Sequence, residues 1–229
     1  EAMGVKMKWN LISYYYVRQS PPEHIERIRD SSELIMVDSG AHSFQKGVKV
    51  EWESYTREYA EWIRGFDRPN VVGYFEMDVD NVIGYDRVKH LRSVLEKGSG
   101  VPEKIIPVWH KNRGVEEFKA MCREKTGHTA AITGWKNEDI RIHCLGMARE
   151  GVLMKVPFDY ADASSWVHNV NYGRSRRGYK YRKPRNQEEY IDQYVDSYLN
   201  YMDMQERIYL KWKDFKKGFV TSPSSKTKE

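Results

Sequence analysis

Leu34-Ile35-Met36-Val37-Asp38-Ser39-Gly40-Ala41 is an apolar run of strand length that stops on a carboxylate and opens into a small-residue turn. A short apolar run bounded by turn residues reads as a strand buried on both faces, the kind found in parallel sheets. The figure recurs along the chain. Candidate strands fall at 9–17, 34–37, 71–77, 104–109, 129–133, 142–145 and 158–161. Between them lie stretches of helical character. Pro21-Pro22 opens one that continues over 23–29, and 52–65, 85–96 and 115–124 carry apolar or aromatic residues at helical spacing. Strands that alternate with helices are the rhythm of βα units, and a chain of 229 residues has room for one domain built as a (β/α)8 TIM-like barrel. An eighth strand falls within 167–181 or is replaced by something irregular. A long Tyr-rich helix is predicted over 187–217, its apolar stripe docked on a core, with a polar tail at 221–229. Residues 1–6 read as an expression remnant, so the domain is taken as 7–220.

Composition narrows the function classes. No run of about 18 apolar residues occurs and the first residues lack the regions of a signal peptide, so the expected compartment is the cytoplasm, or the host cytoplasm for a phage-encoded chain. Cys122 and Cys144 are the only cysteines, too few for a disulfide framework or a four-cysteine zinc site, and they read as reduced packing thiols. The net charge of +5 sits at one end: residues 173–229 hold 14 Lys/Arg against 8 Asp/Glu, while residues 1–172 hold 24 against 25. Within 173–186 the cations Arg174, Arg176, Arg177, Lys180, Arg182, Lys183 and Arg185 occur without an acid, interleaved with Tyr179 and Tyr181. Such a segment suits phosphates and stacked bases, and a solvated loop is the alternative.

In a barrel of βα units, catalytic side chains project from the C-terminal strand ends. Collected there are Asp38, Asp78 with Asp80 two residues on, Trp109-His110, Thr133-Gly134-Trp135, Leu145-Gly146 and Asp162. Any one aspartate after a strand is an ordinary cap or turn residue; several ends converging make a pocket. No metal is expected, because His143 and Cys144 are consecutive strand residues and point to opposite faces. His110 reads as a structural or substrate contact more readily than as a general base.

Asp38-Ser39-Gly40-Ala41 followed by Phe44-Gln45, Asp78 after 71–75, Thr133-Gly134-Trp135, His143-Cys144-Leu145-Gly146-Met147, and Asp162-Ala163-Ser164-Ser165-Trp166 together resemble the tRNA-guanine transglycosylase superfamily. The resemblance covers most of 33–166 and is closer to the short phage and bacterial enzymes that place 7-deazaguanine bases into DNA. The chain departs from the pattern at His42 and Ser43, two extra residues before the aromatic, and at Trp109 or His110, where the family has a base-contacting glutamine.

The resemblance implies a pentosyltransferase that exchanges guanine for a free 7-deazaguanine base through a covalent intermediate, with no cofactor. Asp162 is implied as the nucleophile and Asp38 as the proton carrier, facing each other across the sugar at roughly 5 to 5.5 Å as retaining chemistry requires. Asp78, with Asp80 as competitor, is implied to accept from the Watson–Crick edge of the base, with Phe44, Trp109, His110, Gly134, Trp135, Leu145 and Gly146 lining its pocket. The tRNA enzymes of the family carry a Cys/His zinc cluster that two cysteines do not supply, so DNA is the expected polynucleotide, reached by base flipping. The same exchange on tRNA, a non-catalytic nucleic-acid-binding barrel, and a hydrolase that releases a base stand as alternatives. No membrane partner is expected, and no feature sets an oligomeric state.

Overall fold

The structure, a computed structural model, describes residues 9–44, 49–124, 141–173 and 182–215. The chain is a mixed α/β protein that divides into two compact units, Glu1–Ala130 and Ala131–Glu229.

The first unit is built on a four-stranded parallel sheet, β1 (Trp9–Ser13), β2 (Leu34–Asp38), β3 (Val71–Phe75) and β4 (Ile105–Ile106), lying in the order of the chain. Each step from strand to strand passes through helix. Helices α1 (Tyr14–Val17) and α2 (Pro22–Ser31) join β1 to β2, and α3 (Trp52–Phe66) joins β2 to β3. Helices α4 (Asp80–Ile83) and α5 (Tyr85–Ser99) join β3 to β4, and α6 (Val115–Glu124) follows β4. Ile35, Val37, Val71, Tyr74 and Ile105 of the sheet are buried in one core with Tyr55, Tyr59 and Ile63 of α3 and Val88, Leu91 and Leu95 of α5. Those helical residues recur every three or four positions, which is why both helices show one apolar face to the sheet. Helix α3 also packs on α5. Gly98 permits that approach, since a Cβ there would stand 2.8 Å from the Ala60 Cβ.

Three expected strands of the first unit end early, two of them for visible reasons. The 9–17 run stops being a strand at Ser13. Tyr14 and Val17 are buried while Tyr16 is 68% exposed, so burial follows the helical spacing of three and not the alternation of a strand. The 104–109 run keeps only Ile105–Ile106 as strand, because Pro107 has no N–H to donate to a ladder. The expected strand at 71–77 ends as a ladder at Phe75, although the Glu76 amide still donates to the Ile106 carbonyl at 3.0 Å. The expected strand at 129–133 lies outside the described residues.

In the second unit β5 (His143–Cys144) pairs in parallel with β6 (Tyr160–Ala161), with α7 (Glu150–Leu153) between them. Helix α8 (Ser165–Asn171) then leads towards α9 (Gln187–Trp212). The start of α9 is fixed by Asn186, whose side chain accepts from the Glu189 amide at 2.9 Å. It packs on α8, where Trp166 meets the rings of Tyr194 and Tyr198 and Ser197 Oγ donates to the Trp166 carbonyl at 2.7 Å, while Tyr190, Ile191, Leu199, Tyr209 and Leu210 stay exposed. Near its end Trp212 Nε1 donates to the Leu153 carbonyl at 2.8 Å. Among the described residues no helix is long and apolar enough to cross a membrane.

Candidate functional site

The parallel order of the first unit brings the C-terminal ends of β1 to β4 to one edge of the sheet. Ser13 and Asp38 are register partners there, and Phe75 is the partner of Ile106. The turn after Asp38 is clamped from several sides. Ser39 is fully buried and its hydroxyl donates to the Glu76 carbonyl at 2.9 Å, while Tyr55 donates its hydroxyl to the Ser39 carbonyl at 2.7 Å. Tyr59 donates to the Val37 carbonyl at 3.2 Å. Burial holds both phenols well above their ordinary pKa, and the negative charge of Asp38 adds to that. Both therefore stay protonated and keep donating.

Gly40 has φ +71, and a Cβ on it would meet the Tyr15 Cβ at 2.3 Å and the Tyr15 amide nitrogen at 2.9 Å. Gly40→Ala combines a left-handed penalty with overpacking against main chain, and is expected to destabilise the protein by about 3 kcal/mol, read from a denaturant midpoint. An unchanged midpoint would mean that this turn does not hold Asp38. The extra residues His42 and Ser43 wind into a single 3-10 turn over Ala41–Phe44. Phe44 meets Tyr15 and Tyr55 edge-on, with ring centroids 4.7 and 5.1 Å apart. The Arg18 guanidinium lies within 6.0 Å of both the Phe44 and Tyr15 rings.

Asp78, Asp80 and His110 come together beyond β3 and β4. His110 Nε2 is 2.9 Å from Asp78 Oδ1 and its Nδ1 is 2.7 Å from Asp80 Oδ1. The hydrogen bond to Asp78, helped by the charge of both carboxylates, raises the His110 pKa to about 9 against the cost of partial burial. Their ligand atoms lie within 4.8 Å of one another, a spacing compatible with a cation, and each ring nitrogen faces a carboxylate oxygen. Behind them, Glu76 is fully buried, accepts from the Val108 amide at 2.7 Å and stands 3.3 Å from Arg92 Nε. Trp109 is buried against Phe118 and donates its indole N–H to the Gly114 carbonyl at 2.9 Å, so its polar group is spent within the protein.

In the second unit Asp162 follows β6. Its Oδ1 receives the Gly146 amide at 2.8 Å and lies 2.8 Å from His143 Nε2. His143 is 4% exposed, with the Tyr160 ring stacked near it. Cys144, its neighbour along the strand, is only partly buried, as alternation between faces requires, and burial followed by the Asp162 charge raises its thiol pKa. Leu145 is exposed, and Gly146 takes φ +65 to aim its amide. One carboxylate oxygen thus carries both donors, and among the described residues Oδ2 accepts no hydrogen bond.

Gly134, Trp135, Arg174, Arg176, Arg177 and Lys180 lie outside the described residues. Of the remaining basic residues, Lys183 is exposed, whereas Arg182 and Arg185 both pair with Glu189, at 3.1 Å and 2.7 Å. The Arg185 hydrogen bonds hold the Glu189 carboxyl down to about 2. Sequence reasoning gave no role to Glu76, Arg113 or the His143–Asp162 contact. Glu76 follows an apolar run and Arg113 follows Lys111-Asn112, neither with a spacing signal, and the third joins two strands whose pairing only the fold reveals.

No family model, no curated protein and no solved structure matches this chain. Fold and site define a class all the same: parallel βα units that gather carboxylates and their hydrogen-bond donors at strand ends.

Proposed function

We propose that this chain is a base-exchanging pentosyltransferase of the guanine transglycosylase type, which replaces guanine in DNA with a free 7-deazaguanine base on a (β/α)8 TIM-like barrel. The observation that carries the reading is the posture of Asp162. Two donors on Oδ1 fix the carboxylate, and Oδ2, which accepts no hydrogen bond among the described residues, is the oxygen this reading turns towards an electrophile.

In this reading Asp162 attacks C1′ of the deoxyribose as the bond to guanine breaks, giving a glycosyl ester, and the incoming base then displaces the carboxylate with overall retention. Asp38 gives a proton to the departing guanine and takes one from the incoming base. Asp78 accepts from the N1–H and the exocyclic amine of the base, a donor pair that adenine lacks. Lys183 and the cations of 173–186 that are not paired with Glu189 contact phosphates. The order β1-β2-β3-β4 supports the barrel, since consecutive parallel strands with helical crossovers are its building rule.

Incubation with labelled guanine and either DNA or tRNA tests the proposal. Label is expected in DNA. Incorporation into tRNA alone would replace the polynucleotide, abasic sites formed without free base would make the protein a hydrolase, and DNA binding without exchange would leave a binding module.

A further inference from the structure

We infer that His110 is a positioning residue, backed by Asp80 and Arg113, which presents the Asp78 carboxylate to the donor edge of a guanine-class base. The inference rests on the base-exchange reading, in which Asp78 meets the base.

The four side chains alternate in charge, and the inner pair is far more buried than the outer pair. Asp78 and His110 are 24% and 31% exposed at their side chains, while Asp80 and Arg113 are 6% and 8% exposed. The inner end is immobilised. The Arg113 guanidinium lies 3.8 Å from the Tyr85 ring centroid, donates to the Val108 carbonyl, and has its Nε 3.6 Å from both Asp80 Oδ2 and Glu117 Oε2. Asp80, which the sequence leaves in competition with Asp78, is thus enclosed by the scaffold. It orients the imidazole through Nδ1, and the imidazole holds Asp78 through Nε2.

Each ring nitrogen faces a carboxylate oxygen at hydrogen-bonding distance, so each must carry a proton for the contact to be attractive. An imidazole committed on both sides has no donor left for a ligand. Its influence on a base therefore passes through Asp78, whose carboxylate it holds through Nε2 at 2.9 Å. A carboxylate held in place can accept two neighbouring N–H groups in parallel, and the guanine edge offers that pair whereas adenine does not. The same fixing lowers the rotamer entropy that Asp78 would lose on binding.

Guanine is the probe, with adenine as control, measured by equilibrium titration and by steady-state exchange into DNA. The variants are His110→Gln, which keeps one donor and loses the charge, and Asp80→Asn, which keeps an acceptor for Nδ1. Each is expected to weaken guanine binding about tenfold and to raise KM for guanine, with kcat held within about threefold. A role confined to folding would not produce that split. The 15N spectrum of the wild-type imidazole at pH 7.5 is expected to show protons on both ring nitrogens, a reading that needs no variant. A single protonated nitrogen, or wild-type affinity in both variants beside a wild type that binds guanine, overturns the inference. A wild type that neither binds guanine nor exchanges it overturns the base-exchange reading instead, and the ligand named here with it.

Discussion

Asp162→Asn is expected to lose base exchange by roughly 10⁴-fold, the scale on which removal of a covalent nucleophile is felt. Asparagine keeps the shape of the side chain. Its carbonyl oxygen still accepts from the Gly146 amide and from a protonated His143 Nε2, the two contacts that hold the aspartate at 2.8 Å each. What it loses is the second anionic oxygen, so C1′ has no partner with which to form an ester. The thermal midpoint should stay within a few degrees of the wild type, and the covalent protein–DNA species trapped on a denaturing gel should disappear. A variant that still traps DNA places the nucleophile elsewhere.

Glu76→Ala carries the largest expected cost in stability, about 3–5 kcal/mol, because it removes one member of a buried ion pair and leaves Arg92 without its counter-charge. It also strands the Val108 amide, whose acceptor is Glu76 Oε1 at 2.7 Å. For a chain of this size the melting midpoint should fall by roughly 10 °C. Glu76→Gln retains an acceptor for Val108 and should cost less. The comparison has a pH sign. Burial pushes the Glu76 carboxyl up to about 7, so the stability tied to its protonated form is complete below the ordinary value near 4.5 and is lost as pH rises through about 7. The glutamine variant should therefore compare more favourably with the wild type at pH 8 than at pH 5. The opposite trend would mean that the charged form of Glu76 is the one the fold favours.

Local pattern was enough to place much of the secondary structure. Helix α6 occupies the range that periodicity predicts, and α3 matches within a residue, because each shows its apolar residues at a spacing no strand can use. Helix α5 runs three residues past its predicted end, to the left-handed Gly100. The run Tyr14-Tyr15-Tyr16 falls within the apolar stretch 9–17 that reads as strand, and only packing, which buries Tyr14 and Val17 and leaves Tyr16 outside, makes it a helical turn.

By itself the sequence determined the alternation of βα units, the strand-end positions of Asp38, Asp78, His110 and Asp162, and the uneven placement of charge. These depend on neighbours along the chain, and the period of hydrophobicity with the residue that stops it is enough to state them. Tertiary structure alone decided which side chains meet. It joined His143 to Asp162 across a parallel pair, ranked Asp78 and Asp80 by burial, committed both nitrogens of His110, turned the Trp109 N–H inward, and set Arg182 and Arg185 on Glu189. Such contacts fall between residues 4 to 32 positions apart, and strand register and helix packing, which no local window contains, set the more distant of them.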